Sequence, residues 1–170
     1  MVNTKKNIRS FLYKNTPVIL LFTSILNEID FNNLEYKYFS FNFAYILIFY
    51  YNLKRDGGIG YIFIFIAGLF NDVINGIPMG ISSLCYLLLC FFAAYLRNIT
   101  LRPNLIKDWI SFLVSILILN FITFTYLFWF NNYETDYLNQ TINITFTFLL
   151  YFIFSHLFTI YDNAVIGRFK

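Results

Sequence analysis

The sequence predicts an all-α integral membrane protein, one bundle of six transmembrane helices, on three observations. The 170-residue chain is 59% hydrophobic and 12% charged, which is about half the charged fraction of a soluble domain. Apolar stretches long enough to cross roughly 30 Å of hydrocarbon recur along it. Basic residues gather in alternate links between these stretches, which is typical of multi-pass membrane proteins.

Six apolar segments approach the roughly 20 residues that a membrane-spanning helix needs. The loops between them are short, so residues 1–170 are predicted to form a single transmembrane domain. The predicted spans are about 11–27, 37–53, 59–75, 78–97, 105–130 and 139–161.

The first span follows a basic N-terminus, a pattern that a secretory signal peptide also shows. No small-x-small cleavage site follows Leu26, because the next residues are NEID. We therefore predict a retained first helix, although Lys14 and Asn15 lie inside it.

Two tryptophans support the bounds of the fifth span. Trp109 and Trp129 are 20 residues apart, which is about 30 Å along a helix. We therefore predict one indole at each membrane interface, where tryptophan is enriched.

The distribution of charge predicts that both termini are cytoplasmic. With the N-terminus inside, every lysine and arginine except Lys37 falls in a cytoplasmic segment. The other side carries most of the acidic residues, namely Glu28, Asp30, Glu35, Asp72, Glu134 and Asp136. This asymmetry follows the positive-inside rule and favours an even number of spans. The net charge of +3 is thus a topology signal that places basic residues near lipid headgroups, and it does not indicate nucleic-acid binding.

Few side chains in the spans carry chemistry. Cys85 and Cys90 project to different sides of one helix, which favours apolar packing over a shared metal. His156 has no acidic partner near it in sequence, so an interhelical hydrogen bond is favoured over a proton relay. Asn120, near the centre of the fifth span, is favoured as a contact between helices over a ligand-binding group. The DGGIG segment at residues 56–60 lacks the Lys-Ser/Thr ending of a phosphate-binding loop and predicts a tight turn.

Recognisable catalytic motifs are missing from the sequence. It contains no HExxH, no GxSxG and no cluster of Cys and His. We therefore predict a protein that is not an enzyme and that has no catalytic residue, cofactor or metal site.

One polar stretch, GLFNDVINGIPMG at residues 68–80, interrupts this apolar chain. On a helix, Gly68, Asp72 and Gly76 are four residues apart and share one face. Glycines on such a face allow a neighbouring backbone to approach closely. The predicted packing or partner surface, termed the polar seam, comprises Gly68, Asp72, Asn75, Gly76, Pro78 and Gly80.

The polar seam ends in a predicted turn at the outer membrane interface. Pro78 interrupts the helix there, and Ser82 or Ser83 is a candidate cap for the next one. Asp72 has two interpretations that the sequence leaves open. Its carboxylate either caps the backbone of the following turn or contacts a partner or ligand.

The run GLFNDVINGIPMGISSLCYLL resembles the signature of the MreD family of bacterial rod-shape proteins. Members carry Gly-Leu, an Asp three residues on, a Gly and Pro-x-Gly, followed by an apolar helix with a Tyr. Those places are filled here by Gly68, Leu69, Asp72, Gly76, Pro78, Gly80 and Tyr86. Length, span number, orientation and the basic link LRNITLRP before the fifth span fit as well.

The resemblance implies a non-enzymatic scaffold of the cell-elongation complex in the bacterial inner membrane. Its expected partners are MreC, a single-span protein with a periplasmic domain, the MreB filament, and the RodA glycosyltransferase with its transpeptidase. The family's fold is similar to the membrane substrate-binding subunits of energy-coupling vitamin transporters. An alternative function is therefore a substrate- or lipid-binding transporter subunit, which would draw on Asp72, Asn75, Asn120 and His156.

Overall fold

The fold was analysed in a computed structural model that describes residues 15–25, 41–55, 58–99, 104–131 and 137–166. These residues form helices and their connections, without strands. The helices are α1 (Asn15–Ile25), α2 (Phe43–Lys54), α3 (Tyr61–Asn75), α4 (Ile81–Ile99), α5 (Leu105–Asn131) and α6 (Tyr137–Ile166). The all-helical class predicted from the sequence is therefore confirmed for the described part of the chain.

Three helices are long and apolar enough to cross a membrane. The qualifying stretches are Ile81–Ile99, Leu105–Tyr126 and Leu138–Ala164. Helices α1 and α3 are apolar but shorter, with 11 residues in Asn15–Ile25 and 15 in α3. The remaining residues of the predicted first span lie outside the described part of the chain.

Helix α2 is short and enclosed by its neighbours. Its 12 residues span about 18 Å at 1.5 Å per residue, which is less than the hydrocarbon thickness. Every residue from Ile46 to Leu53 is buried, as expected of a helix that is apolar on all sides. The helix begins later than the predicted residue 37, because the Asn42 side chain accepts from the Tyr45 N–H at 3.1 Å and caps it.

Helices α4 and α6 run parallel to α2. The pairs that fix these directions, from the start of α2 to its end, are Tyr45–Tyr86 and Asn52–Arg97 for α4, and Asn42–Thr147 and Tyr50–Thr159 for α6. The shared end, where α2, α4 and α6 all finish, is called the basic end below, because Lys54, Arg55 and Arg97 lie there.

Helices α1, α3 and α5 run in the opposite direction. The contacts that establish this are Thr16–Tyr161 and Phe22–Phe70 for α1, Gly68–Ser83 for α3, and Cys85–Thr123 and Lys54–Asp108 for α5. Successive helices therefore alternate in direction. The start of α1 and the end of α6 lie at the same end of the fold.

Aromatic rings fill the interior between α2, α5 and α6. The rings of Phe49, Phe112 and Tyr151 contact one another, with centroid distances of 5.0, 5.8 and 4.2 Å. Phe158 lies against Tyr51 at 5.5 Å. The outward faces are apolar too, and Phe121 on α5 is 71% exposed. Apolar side chains both inside and outside the fold are expected of helices surrounded by lipid.

Trp109 joins α5 to α6. Its indole Nε1 donates to the backbone carbonyl of Phe148 at 2.8 Å, and its ring stacks on Phe148 with a centroid distance of 4.4 Å. The sequence predicted only an interfacial position for this side chain. The Trp129 side chain lies outside the described residues.

Two ion pairs close the basic end. Lys54 Nζ lies 2.8 Å from Asp108 Oδ2, and Arg55 Nη2 lies 2.7 Å from Asp162 Oδ1. Arg97 donates to the carbonyl of Asn52 at 3.1 Å and to that of Arg55. In the sequence these cations indicate only topology, whereas in the structure they tie α2 to α4, α5 and α6.

The Arg55–Asp162 pair predicts a specific pattern of stabilities. Replacing Asp162 by Asn should lower the free energy of unfolding in mixed micelles by about 2 kcal/mol, less than the 3–5 kcal/mol of a fully buried pair. The reason is that the Arg55 guanidinium loses the opposite charge of Asp162 while remaining largely buried.

The double variant Arg55→Gln/Asp162→Asn should recover part of this loss, since neither charge is then left alone. Lys107→Gln serves as the control, because Lys107 is exposed on α5. Equal losses in the single and double variants would contradict an energetic role for the pair.

Candidate functional site

The polar seam lies in the hairpin formed by α3 and α4. Helix α3 ends at Gly76, whose φ of 62° is in the left-handed region. The Ile77 N–H donates to the Asp72 carbonyl at 3.0 Å, and the Gly76 N–H donates to the Val73 carbonyl at 3.4 Å. This pair of bonds is the Schellman motif. The helix therefore ends at Asn75, before Pro78, and Pro78 lies in the turn that follows.

Asp72 caps the start of α4. Its Oδ2 accepts from the Gly80 N–H at 2.7 Å, and its Oδ1 accepts from the Ser82 N–H at 2.9 Å. Those N–H groups have no partner within α4, because the first turn of a helix leaves its donors free. The carboxylate is fully buried, and the partial positive charge at the helix start favours a negative group there.

The two candidate capping serines have other roles. Ser83 Oγ donates to the Phe65 carbonyl on α3 at 3.1 Å. Ser82 Oγ accepts from Asn71 Nδ2 at 3.0 Å. Both hydroxyls thus bind α3 to α4, and the cap itself comes from Asp72 ten positions before Ser82.

Gly68 sets the separation of the two helices. A Cβ placed on Gly68 would lie 2.6 Å from the Ser83 backbone nitrogen, so no larger residue fits without displacing α4. The predicted close approach at this glycine is therefore found inside the hairpin, between α3 and α4.

The six residues of the polar seam differ in how far they are buried. Gly68 and Asp72 are buried, Pro78 and Gly80 are half-buried, and Asn75 and Gly76 are exposed. The Asn75 amide donates to the Asn71 carbonyl within α3 at 3.1 Å. A partner that contacts this turn would meet its outer residues together with Met79, which is 75% exposed.

The other candidate residues do not gather at a common site. The sequence favoured an interhelical hydrogen bond for His156, but His156 is exposed on α6 and is not joined to any of the other described helices by a hydrogen bond. Asn120 Nδ2 donates to the Ile116 carbonyl of its own helix at 3.0 Å. Cys85 and Cys90 are both buried as free thiols, and Cys85 Sγ lies 3.2 Å from Thr123 Oγ1 on α5. Among the described residues, no group of three His, Cys, Asp or Glu is placed to hold a metal ion.

Sequence reasoning missed a line of polar residues on the inner face of α6. Thr147, Tyr151, Ser155 and Asp162 are all buried, and their spacing of four, four and seven residues keeps them on one face. Four-residue periodicity of hydroxyl groups within the sixth span was the available signal.

The cap predicts how Asp72 variants behave. Asp72→Ala should lower the free energy of unfolding in mixed micelles by about 2 kcal/mol, because two helix N–H groups lose their acceptor. Asp72→Asn keeps one acceptor oxygen and should cost about 1 kcal/mol. Equal stability of the wild type and Asp72→Ala would refute the capping role.

The close contact at Gly68 predicts that even one added methyl group is harmful. Gly68→Ala should destabilise the hairpin by about 1–3 kcal/mol through overpacking against Ser83. Gly76→Asn is the matched comparison, since no atom lies within 4 Å of the added Cβ and Asn tolerates the left-handed conformation. Thermal unfolding in micelles should rank Gly76→Asn above Gly68→Ala, and the reverse order would count against the contact.

Comparison of the chain with protein-family models, curated proteins and solved structures finds no match. The assignment of roles in the α3–α4 hairpin therefore depends on the geometry of its own residues. In that geometry the hairpin packs through α4 on α2 and α5, and its turn around Met79 is exposed.

Proposed function

We propose that the protein is a non-enzymatic membrane scaffold of the MreD type, which binds an MreC-like single-span protein and supports lateral peptidoglycan synthesis and rod shape. One observation carries the proposal. The signature-like residues form a single hairpin in which Gly68, Asp72 and Gly76 each have a distinct structural role. A sequence signature that depends on such a hairpin constrains the fold and leaves the outer surface available for partners.

An arrangement of six spans with both termini in the cytoplasm is part of this proposal. Its support is the alternation of helix direction and the position of the cations. In the described residues, Lys54, Arg55, Arg97 and Lys107 belong to helix ends at the basic end. The positive-inside rule assigns that end to the cytoplasm and the exposed turn around Met79 to the periplasmic side of a bacterial inner membrane.

A scaffold agrees better with the interior than a transporter subunit does. A substrate site needs a cavity with several convergent polar groups, whereas the space between α2, α5 and α6 is filled by aromatic rings. The polar groups on which the transporter alternative depends are occupied or face outward. Asp72 caps α4, Asn120 binds its own helix, and His156 is exposed.

The expected partner surface combines the turn with the outward apolar faces. A single membrane-spanning helix is mostly apolar, so it would associate by packing against apolar side chains of this protein. Exposed residues of α3 such as Ile62 and Phe70 continue from the basic end toward the turn. Contacts with MreB and with RodA and its transpeptidase belong to the same assembly.

Depletion in a rod-shaped host tests the function. Loss of the protein should convert rods to spheres, because sites of lateral wall synthesis lose their scaffold. Growth that becomes dependent on a nutrient while cell shape stays normal would reject the proposal in favour of the transporter alternative.

Photo-crosslinking tests the partner surface. A crosslinker at Met79, on the exposed turn, should capture the MreC-like protein. The matched control is Val114, which is 51% exposed on the outer face of α5. Capture from Val114 and never from Met79 would exclude the turn as the partner surface.

A further inference from the structure

The outward face of α6 carries an ionisable side chain among apolar ones. His156 is exposed there, and so are the apolar residues around it, namely Phe152, Ile153, Leu157 and Ile160. All of them lie in the stretch Leu138–Ala164, which is long and apolar enough to cross a membrane. Ionisable residues in such stretches are rare and almost always face a helix bundle or a water-filled cavity. His156 departs from this rule, because the bundle leaves it exposed.

The position of His156 along α6 places its side chain in the hydrocarbon. Asp162, which pairs with Arg55 at the basic end, is six positions later, or about 9 Å along the helix. The Cα–Cβ bonds of a helix tilt toward its N-terminus. In α6 that direction leads away from the basic end and toward the middle of the span. The imidazole therefore lies where the surroundings offer it no hydrogen bond.

Exposed residues of α6 form a regular stripe that includes His156. This outer stripe consists of Leu149, Phe152, His156 and Ile160. Spacings of three and four residues keep these side chains on one face of the helix, and two helices interlock with the same spacing. A polar residue at one position of such a seam fixes the alignment of the partner helix. The outer stripe thus has the pattern of a helix-packing surface with one polar contact.

The chemistry of imidazole favours a second copy of this chain as the partner. An uncharged imidazole has one N–H donor and one nitrogen acceptor, so two imidazoles can share a hydrogen bond. Two copies that insert in the same direction have parallel α6 helices, and a two-fold axis between them brings each residue opposite its own counterpart. His156 then meets its counterpart at the same depth. A lipid chain offers no such group, and another protein would need a polar side chain at this depth.

We propose that the outer stripe is the interface of a parallel homodimer, in which the two His156 imidazoles form a hydrogen bond near the two-fold axis. Leu149, Phe152 and Ile160 pack against the second copy on either side of this bond. Close packing and interhelical hydrogen bonds are the interactions that join helices in membranes. This inference goes beyond the proposed function and does not depend on it.

Disulfide crosslinking of the full-length protein in lipid vesicles tests the interface. Leu149→Cys places a thiol on the outer stripe, and Phe121→Cys is the control on the outward face of α5. The two positions are matched in depth, because each lies 13 positions from an aspartate at the basic end, Asp162 and Asp108 respectively. The native cysteines are buried, and the protein without an added cysteine gives the background.

Oxidation at high lipid dilution should produce dimers of Leu149→Cys and only the background level with Phe121→Cys. The reason is that the proposed two-fold axis brings the two copies of position 149 together and keeps the two copies of position 121 apart. Equal yields from both positions, or no dimer from Leu149→Cys, would overturn the proposal.

Substitution of His156 tests the hydrogen bond, with association measured by energy transfer between labelled copies in vesicles. His156→Leu should lower the dimer association constant by about three- to tenfold, as expected for one interhelical hydrogen bond in a membrane. His156→Asn keeps a donor and an acceptor and should retain most of the association. Thr125→Leu, at an exposed polar position on α5, is the control and should change nothing. Unchanged or tighter association of His156→Leu would overturn the hydrogen-bonded dimer.

Discussion

The ends of the helices impose the constraint on which this fold depends. Each end leaves backbone N–H or C=O groups without a partner inside the helix, and these groups need one where they are buried. In the hairpin, the Asp72 carboxylate serves the start of α4, and the left-handed Gly76 allows the end of α3 to close on itself. The enclosed α2 has the same need at both ends. Asn42 caps the start of α2. At the end of α2, the Arg97 guanidinium donates to the carbonyls of Asn52 and Arg55.

The polar residues of this chain follow from that constraint. Asp72 and Arg97 are ionisable residues in an apolar fold, and the side chain of each forms hydrogen bonds with backbone groups. Asp108 and Asp162 in turn neutralise cations at the basic end. A side chain that is engaged in capping a helix or in an ion pair is not available to bind a substrate. These contacts are compatible with the proposed scaffold.

Features that depend on local periodicity could be predicted from the sequence. The helical class follows from the apolar stretches, and the close approach at Gly68 follows from its place on a small-residue face. The choice between the two interpretations of Asp72 could not be made, because the capped N–H groups lie eight and ten positions away. Only the folded turn brings them to the carboxylate.

Long-range pairings could not be predicted for the same reason. Lys54 and Asp108 are 54 positions apart, and Arg55 and Asp162 are 107 apart, so nothing local connects them. The outward position of His156 was not predicted either, because the buried face of α6 is recognisable only from its line of hydroxyl groups, and His156 lies one position after the buried Ser155.

The burial of Gly68 and Asp72 limits what the polar seam can contact. Gly68 and Asp72 are used up by the packing and capping of α4, so they are not available to a partner. Substitution at either position would alter partner binding only by disturbing the hairpin. Met79 and the outer faces of α3, α5 and α6 take no part in the cap of α4. In the proposed scaffold, contacts with a partner helix would therefore involve residues other than Gly68 and Asp72, such as the exposed Met79.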